Sequence, residues 1–228
     1  MMRSLSMVLI MVGLLAVATG CLEMEQSIKI AKDGKMTVTY RYAMTPENRK
    51  LLGQAQAGIQ SWQQDRTVGS PSSFADLNWV FNKDQVQRFF SLRGMAVKDY
   101  ELNETKTLHE VKFRVECQDA MTALASGRFG PFEVRRRADG AIANGLTEIV
   151  STLEKPRRQV ADADWKKLCE ACRGLKISLS LQVPGEILET DGAKQEHGAT
   201  WSLENERDLE LLRKPPRFRL LYRPPPEG

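Results

Sequence analysis

Apolar and polar residues take turns along several stretches of this chain. Met24, Gln26, Ile28 and Ile30 alternate with Glu23, Glu25, Ser27 and Lys29, and Met36, Val38, Tyr40 and Tyr42 alternate with Thr37, Thr39 and Arg41. A period of two marks a strand with one face buried. Asp33-Gly34 between the two runs is a hairpin signal. The same period runs through Leu175, Ile177, Leu179, Leu181 and Val183, and again through Phe218, Leu220 and Tyr222. The pattern predicts strands over residues 22–30, 36–42, 175–183 and 218–222, and shorter ones over 146–153, 187–190 and 199–203. Asp139-Gly140, Pro184-Gly185 and Asp191-Gly192 mark turns.

The middle of the chain mixes both periods. Phe74 to Val80 predicts a strand. Asn82-Lys83-Asp84-Gln85 has the form of a capping box, and Phe81 with Val86 has hydrophobic-staple spacing. Val86, Phe89, Phe90 and Leu92 then give a helical face closed by Gly94. Strands are predicted over 95–102 and 107–117, a short helix over 118–126 with Met121 and Leu124 inward, and a strand over 129–137. The order β-α-β-β-α-β over about 74–137 is the ferredoxin-like pattern. Further helices are expected after Thr45-Pro46-Glu47, with Leu52, Ala55, Ile59 and Trp62 at helical spacing, and over 162–173 and 204–212. The expected class is α+β: an antiparallel sheet platform built by the first and last thirds, helices on one side, and the ferredoxin-like module inserted between them. Such a fold serves many activities and names none.

The start of the chain has a different pattern. Leu5 to Ala18 carries no charge, Arg3 precedes it, and Thr19-Gly20-Cys21 follows. A basic flank, a short apolar run and small residues make a secretory signal. The run is shorter than the roughly 20 apolar residues of a membrane-spanning helix. Ala18-Thr19-Gly20-Cys21 resembles the bacterial lipobox, with Ala18 where that pattern usually has Leu. The resemblance implies cleavage after Gly20, a thioether-linked diacylglycerol on the Cys21 sulfur, and an acyl group such as palmitate on the new amine. The expected organisation is a lipoprotein signal peptide over 1–20 and an extracytoplasmic domain over 21–228. That places the protein in the bacterial cell envelope, on the periplasmic face or at the cell surface. With strand pairing from about Ser27, about six residues would separate lipid from fold, a reach of roughly 20 Å.

A second resemblance rests on two pieces. Gly20-Cys21-Leu22-Glu23 leads into the Lys32-Asp33-Gly34 hairpin, and Leu181-Gln182-Val183-Pro184-Gly185-Glu186-Ile187 is followed by Asp191-Gly192 and Thr200-Trp201-Ser202-Leu203. This layout is similar to LppM-type envelope lipoproteins. The similarity implies an α+β extracytoplasmic domain with a contact surface for lipids or partner proteins, and it brings no catalytic residues.

Charge and candidate chemistry narrow the classes. Lys and Arg number 33 against 29 Asp and Glu, a net charge of +4. That is too mild to argue for nucleic acid, and it is compatible with anionic headgroups, where each well-placed Lys or Arg adds about 1 kcal/mol. The cysteines are Cys21, Cys117, Cys169 and Cys172. Outside the inner membrane a disulfide is permitted. With Cys21 acylated, a bridge from Cys117 to Cys169 or Cys172 would leave one thiol free. Cys169-Glu170-Ala171-Cys172 has redox spacing, yet it falls late in its predicted helix, where the dipole opposes a thiolate. It also shares a stripe with Trp165 and Leu168, so small buried hydrophobes are the preferred reading. Arg173 stands where a haem attachment site needs His.

His109 and His197 are too far apart for a local metal set, and no metal or other cofactor is expected. Arg135-Arg136-Arg137 at a strand end offers cations to phosphate headgroups, against the plainer reading of a solvated end. His-Glu-x-x-His, Gly-x-Ser-x-Gly and phosphate-cradling glycine loops are absent from the sequence, and no catalytic residue is assigned. The expected function is a lipid-anchored, non-catalytic binding or scaffolding module at the membrane surface. Its expected partners are the membrane, an envelope protein, a lipid or a cell-wall polymer. The alternatives are a thiol-active protein using Cys169 and Cys172, or a hydrolase with an unrecognised carboxylate pair.

Overall fold

A computed structural model describes residues 22–51, 79–130, 132–137, 145–151, 166, 174–204 and 218–225. The α+β class holds. The strands are β1 (Glu23–Ile30), β2 (Met36–Met44), β3 (Met95–Glu104), β4 (His109–Cys117), β5 (Phe132–Arg137), β6 (Leu146–Ser151), β7 (Lys176–Gln182), β8 (Glu186–Thr190), β9 (Ala193–Gln195), β10 (Gly198–Glu204) and β11 (Arg219–Arg223). The helices are α1 (Lys83–Phe89) and α2 (Ala120–Ala125), and residues 46–51 are also helical.

The first sheet has the order β3-β4-β2-β1-β7-β10-β9. The β1–β2 hairpin closes as the alternation predicts, with Ile30 opposite Met36. Its turn needs a left-handed residue, which Gly34 supplies at φ +81°. The first and last thirds of the chain do share this sheet. They join through β1 and β7, which run parallel; strands so distant in sequence are not bound by hairpin geometry. Side chains on the inner face form the core: Ile28, Val38, Val111 and Val115 are fully buried, and the Tyr40 and Phe113 rings stack with centroids 4.8 Å apart.

Helix α1 closes over those rings. Asn82 caps it, its side chain accepting from the Gln85 backbone N–H at 3.1 Å, and Phe81 and Val86 are both buried as a staple requires. Asp119 caps α2 by accepting from Thr122 N–H at 2.8 Å, and Ala120, Ala123 and Leu124 turn inward. Met121 is only partly buried.

The second sheet has the order β5-β6-β11-β8, and it changes the expected picture in two ways. The ferredoxin-like module does not close. Antiparallel β2 takes the whole edge of β4, from Met36 opposite Cys117 to Met44 opposite His109, and β3 takes the other edge. β2 thus holds the edge of β4 that the module's first strand would take, and β5 pairs with β6 instead. Residues 79–81 form a 3-10 turn where a strand end was expected, and residues 74–78 lie outside the described ones. Asp191-Gly192 is also not a turn within one sheet: it carries the chain from β8 in the second sheet to β9 in the first. Asp191 pins that crossing by accepting from Trp201 Nε1 and from the Arg219 backbone N–H, each at 2.8 Å. A Cβ at Gly192 would lie 2.6 Å from the Trp201 indole.

No helix among the described residues is long and apolar enough to cross a membrane. Residues 52–62 and 205–212 of the predicted helices fall outside the described residues, and Glu204 ends β10. The predicted helix over 162–173 also falls outside them, apart from Lys166, which is helical.

Candidate functional site

The first described residues already belong to the fold. Leu22 is fully buried, and its carbonyl accepts from the Lys176 N–H at 2.8 Å. Glu23 is already paired, with Ala43 on one side and Lys176 on the other. Gly20 and Cys21 lie outside the described residues. Cys21 is nonetheless bonded to Leu22, which sets its Cα about 3.8 Å from a residue locked in the core. Pairing begins at Glu23 and not near Ser27.

One guanidinium gathers three carboxylates at this end of the sheet. Arg41 reaches Glu23 at 2.7 Å, Glu25 at 2.8 Å and Glu110 at 2.7 Å. Burial alone pushes the Glu110 carboxyl up, but hydrogen bonds from Arg41 and Lys112 outweigh it and hold the carboxyl below its ordinary range. Burial works against the Arg41 charge, and its three carboxylates overcome that and raise its pKa.

The β3–β4 turn lies at the same end. Glu104 is opposite His109, which is opposite Met44. Arg49, from the helical residues 46–51, pairs with Glu104 and places Nη1 3.0 Å from His109 Nδ1. Its guanidinium lies 4.5 Å from the centroid of the Phe81 ring. His109 is thus a half-buried part of a hairpin base. His197 is exposed in the β9–β10 turn, with Nε2 3.6 Å from Glu196, toward the opposite edge of the sheet. Among the described residues no group of three or more His, Cys, Asp or Glu is placed to hold a metal.

Cys117 is a free thiol in the structure. It is buried on the inner face, between Met36 and Met95 in register, and burial pushes its pKa up to about 12. A thiol so shielded does not furnish a nucleophilic thiolate near neutral pH. Cys169 and Cys172 lie outside the described residues.

A cleft of about 430 Å³ separates α2 from β5. Met121, Ala125, Phe132 and Val134 give it apolar walls, and Arg136 stands at its rim. The three consecutive arginines divide by strand period. Arg135 faces away from the cleft and is tied to Glu133 by two hydrogen bonds of 2.9 and 2.7 Å. Arg136 shares the cleft face with Phe132 and Val134, in line with Thr147 and Tyr222 on the neighbouring strands. Arg137 ends the strand opposite Leu146. The chemistry on offer is an apolar wall with the Arg136 cation beside it and one carboxylate, Glu133, which is held by Arg135.

Sequence reasoning missed one carboxylate. Glu148 in β6 is 1% exposed and accepts from Arg219 Nε at 2.6 Å. Arg219 also reaches Glu189 at 2.8 Å. The signal was present: Glu148 is the one acidic residue within the run Leu146-Thr147-Glu148-Ile149-Val150, and a charge in such a run needs a buried partner.

Fold and site together define an α+β domain of two sheets with an apolar cleft between α2 and β5. No family model matches the chain, and no curated protein matches it. A solved structure similar to it is the NMR structure of the folded domain of the Mycobacterium tuberculosis LppM protein, at 14% identity and a TM-score of 0.41, with 91% of this chain and 93% of that one covered. An overlap of that size leaves the functional reading to this chain's own residues.

Proposed function

We propose that this chain is a lipid-anchored extracytoplasmic protein of the bacterial envelope, acting as a non-catalytic binding or scaffolding module on the membrane surface. The supporting observation is the complete burial of Leu22 with pairing from Glu23. An acylated Cys21 would then have no linker, and the domain would work within the headgroup layer instead of ranging across the envelope. Its partners would be those reachable there: a lipid, an envelope protein or the adjoining cell-wall polymer. Metabolic labelling with an alkyne fatty acid tests this. The wild-type chain takes up the label and Cys21→Ser does not. A wild-type chain that takes up none, or a Cys21→Ser chain labelled equally, overturns the reading.

A further inference from the structure

Three features meet at one end of the first sheet. β1 begins there at Glu23, opposite Ala43. β2 ends there at Met44, opposite His109. The β3–β4 hairpin turns there, and residues 105–108 project beyond the last pair of the β2–β4 ladder. β1 is two strands from β4 in the sheet order. At roughly 4.8 Å per strand, the turn lies about 10–15 Å from the point where Cys21 joins the fold.

The turn is ordered and it exposes apolar surface. Thr105 Oγ1 accepts from the Leu108 N–H at 2.9 Å and from the Thr107 N–H at 3.3 Å, and the Thr105 N–H donates to the Leu108 carbonyl at 2.9 Å. Arg49 fixes the base through Glu104 and His109. Among the described residues the exposed large apolar side chains are Leu92, Leu102 and Leu108. Two of these three belong to this hairpin, and Lys106 is exposed between them. A single exposed Leu is ordinary. What sets these apart is their position beside the first residue of the fold.

We propose that the β3–β4 turn is a second bilayer contact, with Leu108 entering the headgroup region, Leu102 at its margin, and the Lys106 ammonium reaching lipid phosphate as its stem lies along the apolar zone. The inference rests on the tethered reading above. Glu104 is no obstacle, because Arg49 neutralises it. Acyl chains at Cys21 and the turn at Leu108 give two separate points of contact. Together they fix the tilt of the domain, with the strands of the first sheet running away from the bilayer.

The test uses the mature chain extracted from membranes and reconstituted in vesicles of phosphatidylcholine and phosphatidylglycerol. A fluorophore is placed at Leu108→Cys or, at the far end of the sheet in the exposed β1–β2 turn, at Lys32→Cys. Both carry Cys169→Ser and Cys172→Ser, and Thr107→Cys serves as a second site in the turn if Leu108→Cys disturbs it. The 107–108 label is expected to be quenched by nitroxide-bearing lipids several-fold more than the Lys32 label, and shielded from aqueous iodide. Equal quenching at both ends overturns the contact. Intact mass of the same sample separates the two readings. An acylated chain with an unquenched turn keeps the tether and removes the contact. An unacylated chain with a lipid-quenched turn does the reverse, and an unacylated, unquenched chain removes both.

Discussion

The two sheets differ in pairing, with one parallel pair among the described residues of the first and none among those of the second, and they differ more in how they meet solvent. The first is one-sided. Its inner residues form the core, and its outer face carries a row of hydroxyls in register, Thr39, Ser27, Ser180 and Thr200. The second sheet is buried through most of its middle. In β6, Leu146, Thr147, Glu148, Ile149 and Ser151 are all buried, and in β11 so are Leu220, Leu221 and Tyr222. Their ion pairs differ accordingly. Arg41 and its carboxylates keep side-chain exposures of 17–54%, whereas the Glu148 side chain keeps 2% against Arg219. A charge pair at the surface contributes little because water competes for each ion. A charge pair with one buried member is costly to break, because the survivor loses its compensation.

That contrast can be tested from the largest effect down. Phe113→Ala removes the ring that stacks on Tyr40 and also meets Tyr42, Phe90 and Tyr100. Urea unfolding should show a loss of about 3–5 kcal/mol. Arg219→Leu takes the guanidinium from a Glu148 carboxylate that stays buried, and a loss on the order of 3 kcal/mol is expected. Arg41→Leu, on the one-sided sheet, should lose no more than about 1 kcal/mol. Equal losses for Arg219→Leu and Arg41→Leu would erase the distinction between the sheets.

Acid sharpens the same comparison. Glu110 is held below the ordinary carboxylate range, so the folded chain gives up that proton more readily than the unfolded chain does. Its stabilisation is present at neutral pH and is lost as pH falls below about 4. Urea midpoints should drop over that window in the wild type, and drop less in Arg41→Leu. The smallest effect concerns Cys117, whose pKa is pushed up to about 12 by burial. Native protein should leave it unalkylated by iodoacetamide at pH 8, with modification appearing only on unfolding. Rapid native labelling at Cys117 would show that the inner face of the first sheet is open.

The one-sidedness of the first sheet is also why it was legible. Strict alternation in β1, β2 and β7 is the imprint of water on one face, and Asp33-Gly34 fixed the hairpin register. The capping residues Asn82 and Asp119 announce their helices because an orphan N–H needs a side-chain acceptor. The second sheet keeps that imprint in β11, through Phe218, Leu220 and Tyr222, but in β6 both faces are covered and period two disappears. Partner choice was hidden as well. Nothing local in β5 says that β2 will already hold the edge of β4, and Asp191-Gly192 has the same dipeptide whether it turns within a sheet or crosses between two. Of the candidate site residues, Cys117 and the arginines of β5 could be placed on faces only once register was known. Glu148 escaped notice because its partner, Arg219, lies 71 positions away.

The account turns on where the mature chain begins. Peptide mass spectrometry of the protein extracted from membranes should find an amino terminus at Cys21, with Leu22 next, carrying the mass of a diacylglyceryl thioether and an amide-linked acyl chain. An amino terminus at any other residue, or an unmodified Cys21, would contradict it.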